Sequence, residues 1–166
     1  MAEEQNSRIM ASARNLIRQS QSMTLATSEN NIPWAATVYF AAAGDGLYFF
    51  SSPDSRHIRE GLASGCAAGA IYLEDASWQN FTGLQLSGNI MAVSGKKEAG
   101  AAILAYAKKF PFVKTFFKNI PTLGLNDFLR RFNAMLYCFT PDVIFFMDNS
   151  EAFGFRETLS REQLFS

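Results

Sequence analysis

Along the first twenty residues, apolar side chains recur at helical spacing. Ile9, Met10, Ala13, Leu16 and Ile17 fall on one face, and Glu3 and Glu4 stand in the first turn, where a helix dipole favours negative charge. The pattern predicts an amphipathic helix over residues 3–20. From Met23 the rhythm shortens. The runs "MTLATS" (23–28), "WAATVYFA" (34–41) and "LYFFSS" (47–52) are short and β-favouring. They are separated by "ENNIP" and by "AGDG", in which Asp45-Gly46 reads as a tight turn because glycine accepts positive φ. "CAAGAIYLE" and "FTGLQLSGNIMAV" add two further strands, linked by the polar "DASWQN".

Between residues 95 and 132 the periodicity returns to that of helices. "SGKKEAGAAILAYAKKF" carries a stripe of Ala99, Ala102, Ile103, Tyr106 and Phe110, with Lys108 and Lys109 at its C-terminal end. Pro111 ends it, "FVKTFFKNI" predicts a shorter helix, and "NDFLRRF" another turn capped by Asn126. "MLYCFTPDVIFFMDN" (135–149) is strand-like again, and its Thr-Pro-Asp interruption predicts a bend or a sheet edge. A meander of antiparallel strands this long closes most readily by curling into a barrel. The expected architecture is one α+β domain over residues 1–166, with strands from about 23 to 93 and from 135 to 149.

Composition narrows the function classes. Of the 166 residues, 48% are hydrophobic, which excludes a generally disordered chain. Fifteen basic residues balance fifteen acidic ones, which argues against a nonspecific nucleic-acid binder. No secretory pattern is visible at the N-terminus, and no apolar run reaches the length that spans a bilayer. Cys66 and Cys138 lack metal-ligand spacing and read as reduced packing residues. These features predict a cytoplasmic protein with neither a membrane nor a nucleic acid among its partners. The aromatic pairs Phe116/Phe117 and Phe145/Phe146 read as core or dimer interface.

The stretch "FFSSPDSRHIREGL" (49–62) is the first candidate site. If a helix begins near Pro53 or Asp54, its free N–H groups converge with the hydroxyls of Ser51, Ser52 and Ser55 and with Arg56 and His57. Oriented donors, a positive dipole end and a guanidinium suit a phosphate. The alternative is a solvated first turn whose charges are balanced by Asp54 and Glu60. In "TGLQLSGN", alternation sets Leu84, Leu86 and Ile90 on one face and Gln85, Ser87 and Asn89 on the other. That polar row either hydrogen-bonds a planar ligand or faces solvent, and Gly88 predicts a bulge or a close backbone approach. Dinucleotide fingerprints, Walker loops and nucleophile elbows are missing, and one histidine cannot build a zinc cluster with these cysteines. Acidic pairs such as Glu74/Asp75 read as surface charge.

In order and spacing, "MTLATS", "WAATVYFAAAGDGLYFFSSPDSRHIREGL", "CAAGAIYLE" and "GLQLSGNIMAV" resemble the FMN-binding split barrel of pyridoxamine 5′-phosphate oxidase-like proteins, over about residues 20–93 and more weakly through "YCFTPDVIFFMDN". The "KKFP" turn and the "DNSEAFGF" ending look more like a poorly characterised bacterial branch. The resemblance implies an antiparallel split β-barrel with flanking helices and a homodimer with two equivalent flavin sites. It also implies an oxidoreductase whose flavin is fed by a small-molecule electron donor, a reduced nicotinamide being one candidate.

Carried over by position, the implied FMN contacts are Val38 and Tyr39 along the ring, Phe50, Ser51 and Ser52 at the strand end, Ser55, Arg56 and His57 at the phosphate, and Gln85 on the later strand. No catalytic residue and no metal ligand are implied. The sequence departs from the oxidase in three places. His57 replaces a lysine, Ala35 and Phe40 stand where an earlier strand is basic, and the C-terminal Arg- and His-containing segment is absent. Two rival readings are a haem-binding split barrel with His57 as ligand and a cofactor-free structural dimer.

Overall fold

In the computed structural model, which describes residues 2–73, 77–111 and 133–165, the chain runs α1 (Ala2–Gln19), β1 (Ser22–Glu29), β2 (Ile32–Tyr39), β3 (Ala41–Ala43), β4 (Gly46–Ser51), α2 (Arg56–Ser64), β5 (Ala67–Tyr72), a 3-10 turn (Trp78–Asn80), β6 (Thr82–Ala92), α3 (Lys96–Lys109), β7 (Met135–Asp148), β8 (Arg156–Thr158) and α4 (Arg161–Phe165). The helices expected in "FVKTFFKNI" and "NDFLRRF", and with them Phe116 and Phe117, lie outside the described residues.

Every pairing is antiparallel, in the order β2-β1-β5-β6-β7-β4-β3, with β8 added to β7. The two ends of that order are consecutive in sequence: β2 ends at Tyr39 and β3 begins at Ala41. Only Phe40 lies between them, so the sheet must curl until its edges meet. The run Trp34–Ala41, expected as one strand, is therefore divided at Phe40, which is fully buried. This is an α+β split barrel with helices around it.

Its interior is the face that alternation predicted. Leu84, Leu86 and Ile90 are buried with Leu25, Phe49, Phe139 and Phe146, and α1 adds Ile9, Met10, Ala13, Leu16 and Ile17. Gln85 and Ser87 are exposed, and Asn89 is half-buried.

Local geometry corrects three expectations and supports another. The β3–β4 turn is Gly44-Asp45 rather than Asp45-Gly46, because Ala43 pairs with Gly46 and the positive φ is at Gly44. Glycine at the first central position is what a type II′ hairpin turn requires. Gly46 is needed for space instead, since a Cβ there would lie 2.3 Å from Cys138 Sγ. The helix after β4 starts at Arg56 with Ser55 as N-cap, three residues after Pro53 and two after Asp54, because residues 52–55 are already closed into a turn by Ser55 N–H donating to Ser52 O. Cys138 is buried but Cys66 is exposed, since it follows the left-handed Gly65 cap in the α2–β5 turn. Gly88 does sit at a bulge. Ser87 pairs with Val143 and Gly88 with Pro141, leaving Asp142 as the extra residue in β7. At "TPD", β7 carries this bulge, and Thr140, Pro141 and Val143 pair with β6 alone, because pairing with β4 stops at Phe139 and pairing with β8 begins at Phe145.

Candidate functional site

The corner where β4 gives way to α2 gathers five of the residues singled out in the sequence. Ser51 is the last residue of β4, Ser55 caps α2, and Arg56 and His57 are its first two helical residues. The first helical N–H groups have no acceptor within their own helix. His57 Nε2 lies 2.9 Å from Ser51 Oγ and 3.4 Å from Ser55 Oγ, and the two hydroxyls are 3.1 Å apart. Ser55 Oγ donates to Ser52 O at 2.7 Å, so it serves the turn rather than the helix end. Ser52 Oγ accepts from Asp54 N–H and from Asn133 Nδ2, both at 3.2 Å, and Asn133 also reaches Asp54 Oδ2 at 3.0 Å.

His57 is buried at 8% exposure. Burial lowers its pKa, against a weaker opposite pull from the Glu60 charge, so the imidazole is neutral at pH 7. Arg56 therefore supplies the positive charge of this pair, and it already has partners. Its Nε donates to Glu60 Oε1, its guanidinium lies 4.8 Å from the centre of the Trp34 ring, and Nη2 is 3.4 Å from Ile32 O. Glu60 is only 3% exposed. A hydrogen bond from the Thr27 hydroxyl, at 2.6 Å, and then the bond from Arg56 hold its carboxyl below the usual range. The i,i+4 spacing of Arg56 and Glu60 is visible in the sequence; Thr27 and Trp34, brought in by the β1–β2 hairpin, are not.

A second group lies beside the first. Tyr106 of α3 donates its hydroxyl to Tyr39 O, and its ring meets Phe50 edge-on at 5.1 Å. Tyr39 in turn meets Phe110 edge-on at 5.5 Å. Tyr39 is exposed and Phe50 half-buried, whereas Val38 points into the core. Tyr106 thus ties the strand carrying Tyr39 to the strand end carrying Phe50, a link that its place in a helical stripe does not reveal.

Gln85 stands apart from the corner. It belongs to a rung running Gln85–Ala70–Thr24–Thr37 across β6, β5, β1 and β2. Three strand spacings, about 14 Å, separate Gln85 from Thr37 along that rung. Of the two departures, Ala35 on β2 is exposed, and Phe40, just after that strand, is core. The corner's donor set fits a phosphate ester by hydrogen bonding: serine hydroxyls, a neutral imidazole and the head of a helix. Its charge comes from an arginine shared with Glu60. Among the described residues, no group of three His, Cys, Asp or Glu side chains could hold a metal ion.

The sequence model of pyridoxamine 5′-phosphate oxidase matches residues 9–122, more than half of the chain. The chain belongs to the pyridoxamine 5′-phosphate oxidase family. No curated protein sequence matches it significantly. Solved structures with this family's fold include a haem-binding protein from Mycobacterium smegmatis, with a TM-score of 0.70 and 18% identity over 94% of this chain. This chain spans 59% of that protein's length. A FAD-binding protein from Mesorhizobium loti matches at a TM-score of 0.57 and 12% identity, over 81% of this chain and 90% of its own. HutZ, the haem storage protein from Vibrio cholerae, matches at 0.58 and 13%, over 80% of this chain and 89% of its own. At these identities the likeness establishes the shared family fold and nothing about ligands. In this family member, Ser51, Ser52, Ser55, Arg56 and His57 meet at one corner, and Tyr39 and Phe50 meet through Tyr106.

Proposed function

We propose that this protein binds FMN, with the flavin phosphate at the β4–α2 corner, and acts as a flavin-dependent oxidoreductase. The observation that carries the reading is the convergence of Ser51, Ser55, Arg56 and His57 on the head of α2, in a chain whose family is that of a flavin-using oxidase. The Ser51 hydroxyl and the first N–H groups of α2 donate to phosphate oxygens, and Arg56 adds a charge-assisted bond. Exposed Tyr39 and half-buried Phe50 offer apolar surface to the ring. Bound there, the flavin supplies the hydride chemistry, while the protein anchors and orients it. The electron donor and the substrate are small molecules.

The proposal includes a homodimer. Strand β2 exposes residues of both faces, with Ile32 at 59%, Trp34 at 42% and Tyr39 at 55% exposure. A sheet strand bare on two sides is the surface that a second copy would cover, and such an interface would enclose the ring beside Tyr39. The proposed location is the cytoplasm. Both cysteines are free, and among the described residues no helix is long and apolar enough to cross a membrane.

Absorption of the freshly purified protein tests the reading directly, because flavin bands, a Soret band and a featureless visible spectrum point to three different proteins. In a titration, FMN is expected to bind at micromolar concentration. Arg56→Ala should weaken it by about 1.5–3 kcal/mol, the scale of a hydrogen bond to a charged group. Failure of FMN to bind, or an unchanged affinity in that variant, refutes the phosphate site. A Soret band would favour the haem reading, which two haem proteins of the same fold support. With His57 as the ligand, that reading requires Nε2 to leave Ser51.

A further inference from the structure

The C-terminal ends of α1 and α3 converge with β3 and α4 around a cleft of about 600 Å³. Its volume falls within the range of small-molecule sites. Four cationic residues line it: Arg14 and Arg18 from α1, Lys108 and Lys109 from α3. Among the described residues that line it there is no carboxylate. The remaining wall is apolar, with the alanines of β3 on one side and Phe165 of α4 on the other.

Helix dipoles explain part of this. Arg18 occupies the last turn of α1, and Lys108 and Lys109 the last turn of α3, where cations are favoured. They do not explain why Lys109 turns inward. Its Nζ stands 3.7 Å from the centre of the Phe40 ring and 5.8 Å from that of Phe110, and it donates to Ile17 O at 3.0 Å. Burial pushes its pKa down to about 8. An ammonium has three donors. A C-terminal lysine that needed only the dipole would leave its head in water, as long charged side chains commonly do. Lys109 instead places a partly desolvated charge against aromatic rings on the wall of an apolar cleft.

We propose that this cleft binds an amphiphilic anion, with a carboxylate or phosphate head held by Lys109 together with Arg18 and Lys108, and an unbranched apolar chain against Ala42, Ala43 and Phe165. The anion returns to Lys109 the charge partner that burial took away in water, and its chain covers the alanine surface. The site is separate from the flavin reading and does not depend on it.

The test is calorimetric titration of the full-length protein with dodecanoate, dodecyl phosphate, dodecanol and inorganic phosphate, each below its aggregation limit. Saturable one-to-one binding is expected for one or both of the tailed anions, and whichever head binds more tightly identifies the natural class. Dodecanol and inorganic phosphate should each bind at least 10-fold more weakly. Lys109→Met should weaken the tailed anion at least 10-fold. If Lys109→Met does not fold, Lys108→Glu carries the test, because Lys108 is exposed: binding should fall several-fold with an unchanged melting temperature. Absence of binding, equal binding of dodecanol, equal binding of inorganic phosphate, or full affinity in the folded variant would each overturn the proposal.

Discussion

Arg56 and Glu60 stand one helical turn apart on α2, and the guanidinium Nε donates to a carboxylate that the surrounding strands have buried. The other carboxylate oxygen takes the Thr27 hydroxyl at 2.6 Å. A helix that begins with a cation thus carries its own counter-charge, and the hairpin β1–β2 clamps that counter-charge in place. Because these bonds lower the Glu60 pKa, the folded state gains stability above the ordinary carboxylate range and loses it as pH falls through the lowered value. Thr27→Val removes the largest cause of the shift. The variant should melt at a lower temperature at pH 7, and the difference from the native protein should shrink as pH falls below the ordinary carboxylate range. A constant difference would mean that Glu60 is not the group responsible.

His57 titrates in a different window. Burial lowers its folded pKa below 6.5, so just below that pH the unfolded chain binds a proton that the folded chain refuses. Stability therefore falls as pH drops from about 6.5 towards the lowered value, and is level above it. Urea unfolding between pH 5 and 7.5 should show that slope in the native protein and a smaller one in His57→Gln.

Gly88 and Gly100 make a contrasting pair. A Cβ on Gly88 would lie 2.1 Å from Thr140 O, in backbone that the β6–β7 bulge holds close. Gly88→Ala should cost about 3 kcal/mol, at the upper end of overpacking penalties. Gly100 lies within α3 and meets nothing within 4 Å. There, Gly100→Ala should stabilise by about 0.5–1 kcal/mol by removing backbone freedom from the unfolded chain. Denaturant midpoints of the two variants should move in opposite directions.

The β1–β2 turn is made by Asn30 and Asn31, both at positive φ (52° and 62°), with Glu29 paired to Ile32. This is the two-residue turn that the strands' twist favours. Asn31→Val should cost about 1–2 kcal/mol, the price of a left-handed conformation for a branched residue. Asn31→Gly should leave stability level or slightly raised, as judged by thermal unfolding. Because the same hairpin carries Thr27 and Trp34, Asn31→Val should also loosen Arg56 and weaken FMN if the phosphate site is as proposed.

Much of this was legible along the chain, for reasons that individual elements illustrate. The α1 stripe and the alternation of Leu84, Leu86 and Ile90 are local periodicities, and burial follows wherever period and element agree. Gly88 was marked because a glycine inside a strand signals close backbone approach. In the sequence Asp45-Gly46 reads as the β3–β4 turn because Gly44 and Gly46 flank Asp45, and their roles differ only once Cys138 is across the sheet. Cys66 reads as a packing residue but is exposed, because exposure in a turn depends on what packs over it. β8 and α4 are too short to carry a periodic signal of their own.

The site divides in the same way. The sequence alone determined which chemical groups stand near the start of α2, because Ser51 to His57 are neighbours in the chain and any helix beginning there must present them together. Tertiary structure alone decided their charge state and their company. The β1–β2 hairpin brought Thr27 to Glu60 and Trp34 to Arg56, His57 was made neutral by burial, and Lys109 was carried across 69 residues of chain to Phe40. Short-range order depends on backbone preferences encoded within a few residues. Desolvation and pairing energies depend on distances between residues far apart in sequence, and those distances exist only after the barrel has closed.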